Sequence, residues 1–117
     1  ERAGLLLATL AARAQCSALP DPLVRAAVDR LQAPGARIEA LAGEAGLSAR
    51  QLRRRFERAV GYAPKRLARV LRLQRALGAA RAGDELALAA AAAGYADQAH
   101  FAHECRELAG VPATALL

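Results

Sequence analysis

Residues 46–56 read Gly46-Leu47-Ser48-Ala49-Arg50-Gln51-Leu52-Arg53-Arg54-Arg55-Phe56. Gly46 supplies a turn, Leu47 plugs it, and Ser48 is a strong N-cap for a helix beginning at Ala49. A serine there can accept a hydrogen bond from a first-turn N–H that has no partner within the helix. In that helix Leu52, Phe56 and Ala59 are expected to face the core. Arg50, Arg53, Arg54 and Glu57 recur at i, i+3, i+4 and i+7 and so share the opposite face. Just upstream, a short helix from about Ile38 to Ala45 turns Ile38, Leu41, Ala42 and Ala45 inward. A short helix, a glycine turn and a capped helix with an arginine-bearing outer face make a helix-turn-helix.

Toward the N-terminus, Asp21 followed by Pro22 is a helix start, and Val24, Ala27, Val28 and Leu31 form one buried stripe before Ala33-Pro34-Gly35 ends the helix. Residues from about Glu1 to Cys16 read as a further helix, with Leu5, Leu6, Leu7 and Leu10 on a broad apolar face that packs on the next helix or serves dimerisation. Toward the C-terminus, Gly61-Tyr62-Ala63-Pro64 breaks the chain and Pro64 opens a helix to about Ala82. Leu67, Val70, Leu71, Leu73, Ala76, Leu77 and Ala80 make that helix apolar around much of its circumference, as expected of a rod buried on two sides. The first pattern then returns. A small helix from Leu86 to Ala93 leads to Gly94, Tyr95 and the cap Asp97, and the helix that follows buries Phe101, Cys105 and Leu108 before Gly110-Val111-Pro112. Leu52 and Phe101, Phe56 and Cys105, and Gly61 and Gly110 are each 49 positions apart. Gly46 and Gly94 are 48 apart, so the second turn carries one extra residue. The expected fold is all-α: residues 21–63 form one helix-turn-helix subdomain, 64–82 a long central linker helix and 83–117 a second subdomain, with 1–20 an N-terminal helix or the tail of an upstream domain.

Charge follows this division. From Ser48 to Arg75 there are ten basic residues against the single acid Glu57, whereas from Ala76 onward two basic residues face five acidic ones. A polyanion-binding surface is therefore expected in the middle third of the chain. The only aromatic residues are Phe56, Tyr62, Tyr95 and Phe101, so packing must rely on small aliphatic side chains. Two cysteines so far apart, Cys16 and Cys105, suggest neither a disulfide scaffold nor a zinc site. His100, His103 and Cys105 share one short helix, yet their spacing offers at most two ligands on one face, so no metal and no cofactor is expected. No nucleophile–base pair, phosphate loop or catalytic carboxylate pair is present, which argues against an enzyme. The longest apolar runs fall short of a bilayer span, so no membrane partner is expected. The chain opens at Glu1 without methionine and is expected to be a fragment of a longer protein.

The run from Gly46 to Phe56 resembles the first helix-turn-helix of AraC/XylS-type bacterial regulators. Gly61 with Pro64, then Arg72-Leu73-Gln74-Arg75-Ala76, is similar to that family's linker helix. Gly94-Tyr95-Ala96-Asp97-Gln98-Ala99-His100-Phe101 is similar to its second unit, and Gly110 with Pro112 to its closing segment. The resemblance covers roughly residues 22 to 117 and implies a cytoplasmic, AraC-type, tandem homeodomain-like module of a transcription regulator. It further implies recognition helices in successive major grooves of double-stranded DNA, a separate effector or oligomerisation domain, usually N-terminal, and a role in recruiting or blocking RNA polymerase. Carried over by position, the base-reading residues are Arg50, Arg53 and Arg54 in the first unit, with Gln51 beside them, and Gln98, Ala99, His100 and His103 in the second. The second unit departs from the family pattern with His103 where a basic residue is usual, Cys105 where phenylalanine is usual, and alanines in the helix from Leu86 to Ala93.

Phosphate contacts supply affinity and base contacts supply specificity. Arginine does both, since its planar fork pairs bidentately with guanine O6 and N7. Arg50, Arg53 and Arg54 are assigned to base edges or the phosphates flanking them, and Arg55, Arg58, Lys65, Arg66 and Arg69 to the backbone or to surface charge. Arg72, inside a mostly apolar helix, is expected to pair with an acid such as Asp97 or Glu104. A rigid rod of 19 residues from Pro64 to Ala82 spans about 28 Å at 1.5 Å per residue. Successive major grooves repeat at about 34 Å, so the DNA is expected to bend if both helices dock. The alternative reading of the same residues is a helical protein-interaction module whose basic face meets an acidic partner.

Overall fold

The structure is a computed structural model that describes residues 21–117. The expected helix from Glu1 to Cys16 lies outside the described residues. Among these, the chain forms six α-helices and a closing 3-10 turn: α1 Pro22–Leu31, α2 Glu39–Glu44, α3 Ala49–Val60, α4 Pro64–Arg81, α5 Leu86–Ala93 and α6 Gln98–Ala109, then Ala113–Ala115. The described chain divides into two compact units, residues 21–69 and 70–117, with the boundary inside the continuous helix α4.

The 21–69 unit is built on three amphipathic stripes. α1 buries Val24, Ala27, Val28 and Leu31, α2 buries Leu41 and Ala42, and α3 buries Leu52, Phe56 and Val60. Leu67, in the first turns of α4, is also fully buried. Each large side chain of this kind contributes roughly 1.5–3 kcal/mol on burial. Three expectations at the edge of this core need correction, the first being Ala59, which is only half-buried while Val60 takes the inward place. Ala45 is exposed rather than inward, because α2 ends at Glu44 and Ala45 already belongs to its C-cap, and Ile38 precedes the helix and is only half-buried. α1 begins where Asp21 accepts from the N–H groups of Leu23 at 3.0 Å and Val24 at 3.4 Å, with Pro22 in the first turn.

The 70–117 unit packs Val70, Leu73, Ala76 and Leu77 of α4 with Ala90 and Ala93 of α5 and with Phe101, Cys105 and Ala109 of α6. Tyr95, Ala113 and Leu116 complete this cluster, and Leu108, expected inside, is only partly buried against it. The alanines of α5 leave its cross-section small, and its buried side is Ala89, Ala90 and Ala93. The Arg81 guanidinium donates to the Leu116 carbonyl at 2.8 and 3.2 Å, fastening the C-terminal turn to α4.

The 49-residue repeat is real at the level of backbone. α3 and α6 are both 12-residue helices, capped by Ser48 and Asp97 and ended by left-handed Gly61 and Gly110. The preceding turns match as well. Leu47 N–H returns to Ala42 O at 2.8 Å and Gly46 N–H to Gly43 O at 3.1 Å. In the second unit Tyr95 N–H returns to Ala90 O and Gly94 N–H to Ala91 O, both at 3.1 Å. This pair of bonds is the Schellman ending, which needs a residue at positive φ. Gly94 sits at φ +108°, and an added Cβ would meet only Arg72 Cδ at 3.8 Å, an ordinary contact. Gly94→Ala should therefore cost the left-handed penalty alone, about 1–2 kcal/mol, read from urea denaturation. A loss near zero would mean that the turn relaxes to another backbone form.

Candidate nucleic-acid interface

α3 is presented to solvent by its cap. Ser48 Oγ accepts from Gln51 N–H at 3.1 Å, and Gln51 Oε1 accepts from Ser48 N–H at 2.8 Å, a reciprocal capping box. Gln51, placed beside the base-reading residues from sequence, thus has its carbonyl oxygen engaged in holding the helix start. The Ser-x-x-Gln spacing carried that signal.

Behind the cap, Arg50, Arg53 and Arg54 are all exposed. Arg50 and Arg54 pair with no acid among the described residues, and Arg53 Nε lies 3.7 Å from Glu57 Oε1, one helical turn on. An exposed pair of this kind contributes little and opens readily. The outer face is therefore a band of cations on a rigid element, fixed from below by Leu52 and Phe56, which are wholly buried.

Arg55 departs from the role expected of it. Its guanidinium grips Asp21 with three hydrogen bonds, Nε to Oδ2 at 3.0 Å and the terminal nitrogen to Oδ1 at 2.8 Å and Oδ2 at 2.9 Å. One carboxylate thus caps α1 and anchors α3, a contact across 34 positions that local sequence could not reveal. A second link, Arg30 to Glu44 at 3.1 Å, joins α1 to the end of α2 at the surface. Arg58, Lys65 and Arg66 are exposed, and Arg69 is half-buried.

Burial pushes the Asp21 carboxyl up, but the Arg55 hydrogen bonds and the Val24 and Leu23 N–H groups outweigh it, and the group stays ionised below its ordinary range. A depressed carboxylate contributes stability that is fully present above the ordinary value and lost as pH falls through the folded one. Asn caps as well as Asp does, so Asp21→Asn removes mainly the ion pair. That substitution is expected to cost up to about 1 kcal/mol at neutral pH. The difference from wild type should shrink below about pH 4 in urea titrations across pH. A difference independent of pH would show that the ion pair contributes nothing.

α6 is held differently. Asp97 Oδ1 accepts from His100 N–H at 2.7 Å, the cap expected of it. The His100 ring turns inward: Nδ1 accepts from Ala96 N–H at 3.4 Å, Nε2 lies 3.8 Å from Glu104 Oε2, and the ring packs edge-on to Tyr95 at 5.1 Å between centroids. His103 is exposed and pairs through Nε2 with Glu107 Oε2 at 3.1 Å. Gln98 and Ala99 are exposed. Of the four residues assigned to the second face, three stand outward, and His100 is tied to the packing beneath.

That packing centres on Glu104, a buried carboxylate on the inner side of α6. Arg72 donates to both of its oxygens at 3.1 Å, the Tyr95 hydroxyl donates to Oε1 at 3.0 Å, and the Arg72 guanidinium lies 4.9 Å from the centre of the Tyr95 ring. Of the two partners expected for Arg72, the structure selects Glu104, because Asp97 is occupied as a cap. Burial, reinforced by the neighbouring Glu104 charge, lifts the Tyr95 phenol far above its ordinary range, so it remains a donor. Cys105 is buried, its thiol directed at the Val111 carbonyl at 3.5 Å and raised in pKa by that burial.

Among the described residues no helix is long and apolar enough to cross a membrane. Residues 41–117, from α2 through the last turn, match a family model described as a helix-turn-helix domain. Searches of curated proteins and of solved structures found no match. With its Ser48-capped helix, outward arginines and matching family model, the chain belongs to the AraC-type helix-turn-helix domains, which bind double-stranded DNA and regulate transcription.

Proposed function

We propose that α3 and α6 are two recognition helices that enter successive major grooves of an operator and so control bacterial transcription initiation in the cytoplasm. The observation that carries this reading is the exposed row Arg50, Arg53 and Arg54 on a capped helix whose opposite side is locked into a core. In this proposal these three arginines read base edges, while Arg58, Lys65 and Arg66 meet phosphates. Arg55 acts through position, holding α3 against the start of α1 by way of Asp21. Gln98, Ala99 and His103 face the second groove, and His100 supports them from beneath. An effector or oligomerisation domain and a contact with RNA polymerase belong to the proposal through the family alone. The proposal includes a bent duplex, which gel-shift permutation should register as position-dependent mobility.

The decisive experiment is selection of this chain on a randomised duplex library at near-physiological salt, followed by sequencing. One motif with two half-sites about a helical turn apart is the expected outcome. A single short half-site would restrict base reading to α3. Binding without enrichment, abolished by modest salt, would favour a protein-interaction module with a basic face.

A further inference from the structure

The 21–69 unit contains a cleft of about 510 Å³ that shares Arg53 and Lys65 with the proposed DNA-binding face but extends past it to Arg37 and Glu39. Its volume falls within the range of small-molecule sites. The floor is hydrocarbon: Leu31 from the end of α1, Ile38 before α2, and Pro64 and Ala68 from the start of α4. The lining also includes three cations from three separate segments, Arg37, Arg53 and Lys65, against one acid, Glu39. All three cations are exposed, so their charge is available to a ligand that approaches from solvent.

We infer that this cleft binds a small amphiphilic anion, a carboxylate on an aromatic or aliphatic body, and that its occupation competes with DNA through Arg53. A bare phosphate would satisfy the cations but leave the apolar floor wet, and a neutral hydrocarbon would leave the cations without a counter-charge. Only a molecule with both parts matches both surfaces. Arg53 lines the cleft and belongs to the outward face of α3, so its guanidinium cannot serve a bound carboxylate and a base at once. The competition rests on the DNA-reading role proposed for Arg53, whereas ligand binding does not.

The test uses the 117-residue chain, isotope-labelled, titrated with 2-naphthoate, with 2-naphthylmethanol as the neutral analogue and with inorganic phosphate. Saturable amide shifts confined to Leu31 and to residues 36–39, 49–53 and 63–68 are expected with naphthoate. The neutral analogue should bind at least roughly tenfold more weakly, the worth of a charge-assisted hydrogen bond. Arg37→Ala should weaken naphthoate by a similar factor without altering the far-UV spectrum, since Arg37 is exposed. Shifts spread over the molecule, equal binding of the neutral analogue, or no saturation would overturn the assignment. Phosphate binding as tight as naphthoate would also overturn it, the cleft then being a seat for the DNA backbone. Naphthoate should separately raise the apparent Kd of a selected duplex; site-specific binding without that effect would remove the competition and leave the ligand site.

Discussion

Glu104→Ala is expected to destabilise the 70–117 unit by about 3–5 kcal/mol, since it is the one buried charged residue among the described residues. The carboxylate is 4 % exposed and receives Arg72 on both oxygens and Tyr95 on one. Its removal leaves a largely buried guanidinium without a counter-charge and a buried phenol without an acceptor. Arg72 has little reserve, because its Nε is already buried with no hydrogen-bond partner. Small domains have only about 5–15 kcal/mol in total, so the effect should appear as a large fall in the urea midpoint. The pair itself is not inherently favourable, since burying both charges costs several kcal/mol each. The double replacement Arg72→Leu with Glu104→Leu should therefore recover much of the single-mutant loss. Additive losses in that cycle would mean that the two side chains act independently and that the network is incidental.

Arg53→Ala and Arg54→Ala should each weaken specific duplex binding by about 1–3 kcal/mol, five- to 150-fold in Kd, while leaving the fold intact. Both side chains are exposed and neither supports the core, so a loss of affinity reports on DNA contact and not on unfolding. Arg53→Lys keeps the charge but not the fork, and should recover affinity for any duplex more than preference for the selected one. His103→Ala should cost less. Its Nε2 is already paired with Glu107 at 3.1 Å, an interaction that a base must displace, and α6 has Ala99, Ala102 and His103 where α3 has Arg50, Arg53 and Arg54. Fluorescence anisotropy at fixed salt measures all four variants. Equal losses on α3 and α6 would overturn the view that the first helix-turn-helix supplies most of the binding energy.

The asymmetry between the two halves has a structural counterpart. Beneath the α3 arginines lie Leu52, Phe56 and Val60, and the one ion pair that anchors the helix, Arg55 to Asp21, uses none of Arg50, Arg53 and Arg54. Beneath α6 lies a carboxylate, and that carboxylate draws in Arg72, Tyr95 and the His100 ring. The same 12-residue frame thus presents three arginines in one half, and in the other Gln98, Ala99 and His103 beside a half-buried His100.

Periodicity, caps and glycine turns in the amino-acid sequence determined the all-helical class, the starts of α1 and of α3 through α6, the repeated turn and the outward arginines of α3. These are local matters, set by which backbone N–H groups lack partners and by which residues tolerate positive φ. The exposure of Arg50, Arg53 and Arg54 followed from the same logic, because a stripe at helical spacing opposite Leu52 and Phe56 has only one side to occupy. Even the acid that meets Arg72 was within reach, since a buried cation needs one, although two candidates stood equal.

Tertiary structure alone decided between them, and decided which polar groups are spent internally. Arg55 looked like another member of the basic face until Asp21, 34 positions away, took its guanidinium. His100, assigned to the second face, has its Nδ1 3.4 Å from the Ala96 N–H and its Nε2 3.8 Å from Glu104, neighbours that local sequence does not specify. The cleft joins segments from α1 to the start of α4. Each depends on which side chains meet once helices pack, and a stripe of residues specifies the face a helix buries without naming the partner that face will find.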